Sequence, residues 1–200
     1  MARNSKIAWT QDTLNPFAGC TKVSEGCQNC YALPMTVRHA HNTAFSAEDR
    51  ALYRRTIKRL DNGRWEWSGE ISFFPRRVEQ IRRWRKPRTV FVGSMSDLFH
   101  ENISRDDLWS LFETMDQANQ HRFLILTKRA ERMCHLIDAW YAGYQGKHFA
   151  ELYPHIHLGI TAENQERLDE RTQWLLRTSA ALRFVSLEPM LGEITLDDTP

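Results

Sequence analysis

Arg122-Phe123-Leu124-Ile125-Leu126-Thr127 carries the pattern that decides the fold: a near-continuous apolar run, closed by the polar cluster Thr127-Lys128-Arg129. A strand of this kind is covered on both faces. The pattern recurs at Thr89-Val90-Phe91-Val92-Gly93, at His155-Ile156-His157-Leu158-Gly159-Ile160-Thr161 and at Leu182-Arg183-Phe184-Val185-Ser186-Leu187. Helical periods fill the gaps over Asp106 to Asn119, Ala130 to Tyr141 and Asn164 to Leu176, the first with Ser104 as a candidate N-cap. Apolar strands alternating with helices predict an α/β fold around a parallel sheet. Right-handed crossovers then give either a doubly wound sheet or an open barrel.

The N-terminal half is less regular. Ile7-Ala8-Trp9-Thr10 has the pattern of a short strand, and Asn15-Pro16-Phe17-Ala18-Gly19 is an irregular loop that delivers Cys20. Tyr31 to Leu60 reads largely as helix, with Pro34 near the first turn, where proline is tolerated. Asp61-Asn62-Gly63 is a turn signal. Ile71-Ser72-Phe73-Phe74 is a brief extended piece, and Arg76 to Arg85 has a helical period through Val78, Ile81 and Trp84. A chain of 200 residues predicts one domain, 1–200, with a cysteine loop at 15–31, βα units over about 71–188 and an acidic tail at 189–200.

Each predicted strand ends in polar residues: Ser94-Met95-Ser96-Asp97, Thr127-Lys128-Arg129, Thr161-Ala162-Glu163-Asn164 and Ser186-Leu187-Glu188. In parallel barrels and open sheets the ligand sits at that edge. The cysteine loop follows the first strand-like piece, which places it at the same edge. One edge is therefore expected to gather three thiols, a lysine, hydroxyls and carboxylates.

Cys20, Cys27 and Cys30 fall within eleven residues, while Cys134 stands alone in a helix with apolar neighbours and reads as a core residue. No apolar run approaches the ~20 residues a membrane span needs. The N-terminal stretch is too short for the apolar region of a signal peptide. A cytoplasmic location follows as the expectation, and there thiols stay reduced and clustered cysteines are ligands more often than disulfides. Three soft thiolates on one loop suit an iron–sulfur cluster. A structural zinc ion is the rival, with His39 or His41 as fourth ligand.

The net charge of +2 does not by itself point to nucleic acid, but its distribution is uneven. Arg76, Arg77, Arg82, Arg83, Arg85, Lys86 and Arg88 crowd one segment with Glu79 the only acid among them. The segment is either a solvated helix face or a phosphate-tracking patch. Trp84 lies within it and is a candidate for stacking on a nucleobase as well as for packing. The C-terminal end leans acidic, with Glu188, Glu193, Asp197 and Asp198.

Several blocks act together over nearly the whole chain. They are Asn15-Pro16, Gly19-Cys20-Thr21-Lys22-Val23-Ser24, Gly26-Cys27, Cys30-Tyr31-Ala32, Trp84-Arg85-Lys86-Pro87-Arg88, Ser94-Met95-Ser96-Asp97-Leu98-Phe99-His100-Glu101, Leu126-Thr127-Lys128-Arg129 and Ser186-Leu187-Glu188-Pro189. With them the chain resembles radical S-adenosylmethionine (radical SAM) proteins. It is especially similar to a phage-associated family with three N-terminal cysteines. The Cys27-Cys30-Tyr31 corner and the Leu-Thr-Lys strand end also resemble the spore photoproduct lyase branch. Six residues separate Cys20 from Cys27, where most radical SAM enzymes place three, and the longer spacing fits the phage-associated family.

The resemblance implies a partial (β/α) barrel of radical SAM type. It implies a 4Fe-4S cluster on Cys20, Cys27 and Cys30, with S-adenosylmethionine on the fourth iron. Reductive cleavage, fed by an external electron donor, would yield a 5′-deoxyadenosyl radical that takes hydrogen from an unidentified substrate, nucleic acid being one candidate. Lys128 would hold the S-adenosylmethionine carboxylate, or be an ordinary lysine after a strand. Ser96 and Asp97 would bind its amino group or ribose, unless Asp97 caps the following turn. Thr161 and Glu163 would contact ribose, with Asn164 a helix cap. Glu188 is a site carboxylate or a solvated strand end. The family usually continues with another glycine-rich strand, so one or more C-terminal strands are expected to be missing. That would leave Leu182 to Leu187 at an edge open to self-association. The alternative to the enzyme is a zinc-stabilised nucleic-acid-binding module without redox chemistry, using Arg76 to Arg88.

Overall fold

The computed structural model describes Ala2, Arg3, Ser5, residues 7–141 and residues 147–196. In chain order its elements are β1 (Ala2–Arg3), β2 (Asp12–Leu14), β3 (Phe17–Ala18), α1 (Ala32–His41), α2 (Ala47–Arg55), β4 (Ile57–Arg59), β5 (Trp65–Trp67), β6 (Ser72–Phe73), α3 (Pro75–Glu79), β7 (Thr89–Val92), α4 (Arg105–Asp116), β8 (Arg122–Thr127), α5 (Ala130–Tyr141), α6 (Phe149–Leu152), β9 (Ile156–Thr161), α7 (Gln165–Arg177) and β10 (Arg183–Ser186). The main sheet runs β1-β2-β7-β8-β9-β10. Its last five strands are parallel, and β1 lies antiparallel at one edge. The parallel strands stand in the order in which the chain makes them. Right-handed crossovers then all step the same way, without the reversal of a doubly wound sheet.

Both sheet faces are apolar, as the continuous strands require. On one face Val90, Val92, Phe123, Ile125, Ile156, Leu158 and Ile160 share a core with Leu111, Phe112, Met115, Met133 and Ile137 of α4 and α5. On the other face Phe91 and Leu124 are buried, and Trp9 lies over them. The Trp9 ring stands 4.7 Å from Phe91 and 6.2 Å from Phe184. Phe184 of β10 lies flat on Gly159 of β9, where a Cβ would meet the ring at 2.7 Å. Among the described residues no helix is long and apolar enough to cross a membrane.

Three sequence expectations need correction. Ile7 to Thr10 is a turn, closed by the Thr10 N–H donating to the Ile7 carbonyl at 3.2 Å, and the strand forms later, at Asp12–Leu14. The apolar residue there, Trp9, serves as a cover. Tyr31 to Leu60 is two helices and a strand. Asn42 accepts the Ala44 N–H at 2.9 Å and Ser46 accepts the Asp49 N–H at 3.0 Å, so polar side chains end one helix and start the next. The last residues pair with β5 as a hairpin around Gly63, whose φ of +79° favours glycine. Arg76 to Arg85 is the short α3 followed by a 3₁₀ turn at Ile81–Arg83. Val78, Ile81 and Trp84 are spaced by three, the 3₁₀ period, and all three are buried. Burial removes Trp84 as a platform for a base.

After Thr89 the strands and the helices α4, α5 and α7 lie within about three residues of their expected bounds, the scale on which helix ends and assignments differ, while the short α6 was not expected from the sequence. Ser104 and Asn164 cap α4 and α7 by accepting the Asp107 and Arg167 N–H groups. β10 is at the edge of the sheet. The chain then turns back over the strand ends, where the Leu191 N–H donates to the Glu163 carbonyl at 2.7 Å. Asp197 and Asp198, named in the acidic tail, lie outside the described residues.

Gly159→Ala is expected to destabilise the protein by about 1–3 kcal/mol, because the added methyl must displace the Phe184 ring. Urea denaturation measures this, and Phe184→Leu in the same chain should recover part of the loss.

Candidate functional site

The cysteine loop sits at the C-terminal edge of the parallel strands. Gly19 forms a parallel bridge with Ser96, just past β7. The positive φ of +99° at Gly19 puts a Cβ direction against the Glu70 carbonyl, so only glycine fits this entrance. Cys20, Cys27 and Cys30 are half-buried free thiols. Cys20 and Cys30 pack against an apolar cluster that includes Ala18, Ala32, Phe74 and Met95. The Ser24 hydroxyl is 3.8 Å from the Cys27 Sγ. Backbone N–H groups of Ala32 and Leu33, at the start of α1, face the Cys30 sulfur. Among the described residues no three His, Cys, Asp or Glu side chains are set to hold one metal ion.

Burial governs two of the thiols, Cys20 and Cys30. The Cys20 thiol is pushed up to about 12, first by desolvation and then by the Asp97 charge, against the pull of Arg129. Cys30 is raised mainly by burial, with the Ala32 N–H and the Lys128 charge acting against it. The field of Cys27 raises both. A thiol so far from its thiolate is a poor free nucleophile, and ligation to a metal is what would deprotonate it.

Two buried carboxylates fasten this loop. Asp97 accepts Thr127 Oγ1 at 2.6 Å and the Phe99 N–H at 3.0 Å on one oxygen. Its other oxygen accepts the Lys128 N–H at 3.1 Å and Arg129 Nη1 at 3.2 Å. Arg129 also donates to both Glu101 oxygens at 3.0 Å and, through Nη2, to Thr21 Oγ1 at 2.7 Å. His100 accepts the Asn102 N–H on Nδ1 at 3.1 Å, which places its proton on Nε2, 3.0 Å from Thr21 Oγ1. Thr21, next to Cys20, is thus gripped from β7 and β8.

Glu163 is the second anchor and has no exposed surface. Arg171 Nη1 donates to it at 2.8 Å and Lys128 Nζ at 3.3 Å. Burial pushes its carboxyl up, but hydrogen bonds from Arg171 and Ser24 and the charges of Lys128 and Arg171 outweigh that and hold it at about 2. Gly26 presses directly on it, since a Cβ there would lie 3.1 Å from the Glu163 carboxyl carbon. Beside it Asn164 donates to Glu25 Oε1 at 2.6 Å. The turn bearing Cys27 therefore rests on the end of β9.

The sequence candidates thus converge unevenly. Lys128 stands beside Cys30 and Glu163, on the cysteine side of the sheet. Ser96 pairs with the loop entrance, and its buried Oγ has no hydrogen-bond partner. Asp97 makes the turn cap weighed for it, and both its oxygens are engaged by the protein. Thr161 is buried, with its carbonyl accepting Arg171 Nη1 at 2.6 Å. Glu188 is exposed and acts on Tyr31, whose hydroxyl donates to the Ser94 carbonyl at 2.8 Å. With Trp9, Leu124, Phe184 and Ser186 it lines a cleft of about 460 Å³. His39 lies between Phe45 and Tyr53, and His41 donates from Nδ1 to the Val37 carbonyl at 2.8 Å, so both rings are engaged within the helical lobe.

Arg129, Thr21, His100 and Arg171 are the site residues that sequence reasoning missed. Arg171 carried a signal: it falls between Leu168 and Leu175 on the buried stripe of α7, where a charge needs a partner.

The basic segment divides. Arg77 is buried, with Asp49 at 2.9 Å and the Phe74 ring 3.8 Å below its guanidinium. Arg88 pairs with Asp12, Arg76 with Glu48 and Arg82 with Glu79. Arg83, Arg85 and Lys86 are exposed.

Fold and site together define a β/α-sheet protein that carries a three-thiol loop on the C-terminal strand edge. The chain belongs to the family described as "Protein of unknown function (DUF5131)", whose model matches residues 4–199. Among the curated proteins and the solved structures nothing matches.

Glu163→Gln is expected to cost about 3 kcal/mol at neutral pH, because it leaves Arg171 and Lys128 without a buried counter-charge. The folded carboxyl lies near 2, below the ordinary 4.5, so its contribution is complete above about pH 4.5 and fades as pH falls toward 2. Denaturation curves at pH 7 and pH 3 should show the difference between variant and wild type narrowing in acid.

Proposed function

We propose that this is an iron–sulfur protein of radical SAM type, built on a partial (β/α) barrel. The observation that carries the reading is the placement of three free thiols on one anchored loop, at the strand edge where such folds bind ligands. The donor set fits the group: three soft ligands, an apolar flank, and N–H groups directed at Cys30. A structural zinc ion needs a fourth protein ligand, and the two histidines weighed for that place, His39 and His41, are engaged elsewhere.

Cys20, Cys27 and Cys30 would hold the cluster. When bound, it supplies an electron for reductive cleavage of S-adenosylmethionine, with the resulting radical taking hydrogen from substrate. The chain's own part is to bind, orient and exclude water. Lys128 places a cation beside Cys30, suited to the carboxylate of S-adenosylmethionine, although it shares that charge with Glu163. The free Ser96 Oγ is a polar contact for the same ligand. Asp97 and Glu163 act here as anchors of the loop, and Thr161 as part of the buried strand end. The cleft between Trp9, Phe184 and Glu188 opens beside Tyr31 and offers space for ligand or substrate. The electron donor is external, and nucleic acid is the substrate class that the exposed basic residues favour.

Protein purified without oxygen is expected to be brown, to contain iron and sulfide, and to form 5′-deoxyadenosine from S-adenosylmethionine with a reductant. Cys20→Ser, Cys27→Ser and Cys30→Ser should each drop iron to background. Cys134→Ser should keep it, because that thiol is buried in α5 beside Asp138. Colourless wild-type protein holding zinc, or equal iron in Cys27→Ser and wild type, would overturn the reading.

A further inference from the structure

We propose that the opposite, N-terminal edge of the sheet is a separate site that binds single-stranded nucleic acid through its phosphates. The strands enter the sheet from this edge at Gln11, Thr89, Arg122 and His155. A cleft of about 550 Å³ lies across these entrances, within the size range of ligand sites. Six residues of β8, at about 3.3 Å each, separate it from the cysteine edge, so it is not part of the site above.

The lining is rich in donors. Arg88 and Arg122 supply fixed positive charge, and Gln11 and Gln120 supply amides. His121 lines the cleft and donates from Nε2 to the Trp84 carbonyl at 3.1 Å, which holds it in place rather than offering it to an anion. The Arg88 Nε–H is buried and unpartnered. Buried donors are normally satisfied, so an orphan N–H on a residue that lines this cleft points to a ligand that accepts from it. The nearby acids are few: Asp12 lies behind Arg88 and is paired to it, and Asp116 acts on His155. An anion is the chemistry such a lining takes up.

The flanking charge makes a strand a better occupant than a lone phosphate. Arg83, Arg85 and Lys86 are exposed and immediately precede Pro87 and Arg88 at the cleft. Positive charge therefore continues past the cleft, further than one phosphate can use, as in grooves that track a backbone. This deepens the nucleic-acid part of the proposed function by naming its surface. It needs no cluster, so it stands or falls apart from the iron–sulfur reading.

The test is fluorescence anisotropy with a labelled oligothymidylate about 15 nucleotides long, at low and moderate salt, on the isolated full chain with its iron content recorded. Arg122→Glu, and separately Arg85→Glu with Lys86→Glu, should each weaken binding about tenfold and lower the salt slope by roughly 0.7 per lost contact. Arg105→Glu, an exposed arginine at the start of α4 beyond the other edge, should leave binding unchanged. Absence of binding at low salt, equal loss in Arg105→Glu and Arg122→Glu, or binding of thymidine monophosphate as tight as that of the oligomer would each overturn the proposal.

Discussion

The fold of the cysteine loop depends on carboxylates that have been taken out of water. A buried carboxylate is tolerated only when cations and hydrogen bonds replace its solvent. Asp97 meets that demand with Thr127, the Lys128 N–H and Arg129, and Glu163 meets it with Arg171, Lys128 and Ser24. Each set of partners comes from a neighbouring strand end or helix, and each passes the constraint on to the loop, Arg129 through Thr21 and Glu163 through Gly26 and Ser24. The loop has little apolar surface of its own. Its position is therefore an electrostatic consequence of how β7, β8 and β9 end.

The same logic separates the two edges of the sheet. At the C-terminal edge, cations are consumed by Asp97, Glu101 and Glu163, so the charges around the cysteine loop are largely balanced. At the N-terminal edge Arg88 is the cation matched by a buried acid, while Arg122, Arg83, Arg85 and Lys86 have no ion pair among the described residues. One parallel sheet thus presents a soft-ligand edge and an anion-seeking edge, with its apolar strands as the spacer between them.

The sequence was legible where one force dominated. Near-continuous apolar runs marked β7 to β9, because a strand buried on both faces leaves little choice of residue; β10 showed the same run but is an edge strand with Leu182 and Val185 exposed. Ser104 and Asn164 marked helix starts because their side chains replace missing backbone partners. The polar strand ends pointed to the correct edge for Cys20. Legibility failed where short-range signals competed. Asn42 and Ser46 interrupted what looked like one helix, and Trp9, the centre of an apolar run, became a lid on Phe91. It failed again at the long-range pairs. Asp97 looked like a ligand residue, and only its neighbours in space reveal that its oxygens hold strand ends. Arg129 and Arg171 meet their carboxylates across 32 and 8 residues of chain, which spacing alone does not announce.

If the account is right, the loop is preformed by protein interactions before any metal arrives. Amide hydrogen exchange on the metal-free chain tests this directly at Cys27, Gln28 and Cys30, whose N–H groups bond to Ser24, Glu25 and Cys27 within the loop. Protection well above that of an open turn, lost when the buried anchors are removed, is the predicted result. Exchange at the rate of an unstructured peptide in the intact metal-free protein would contradict the account.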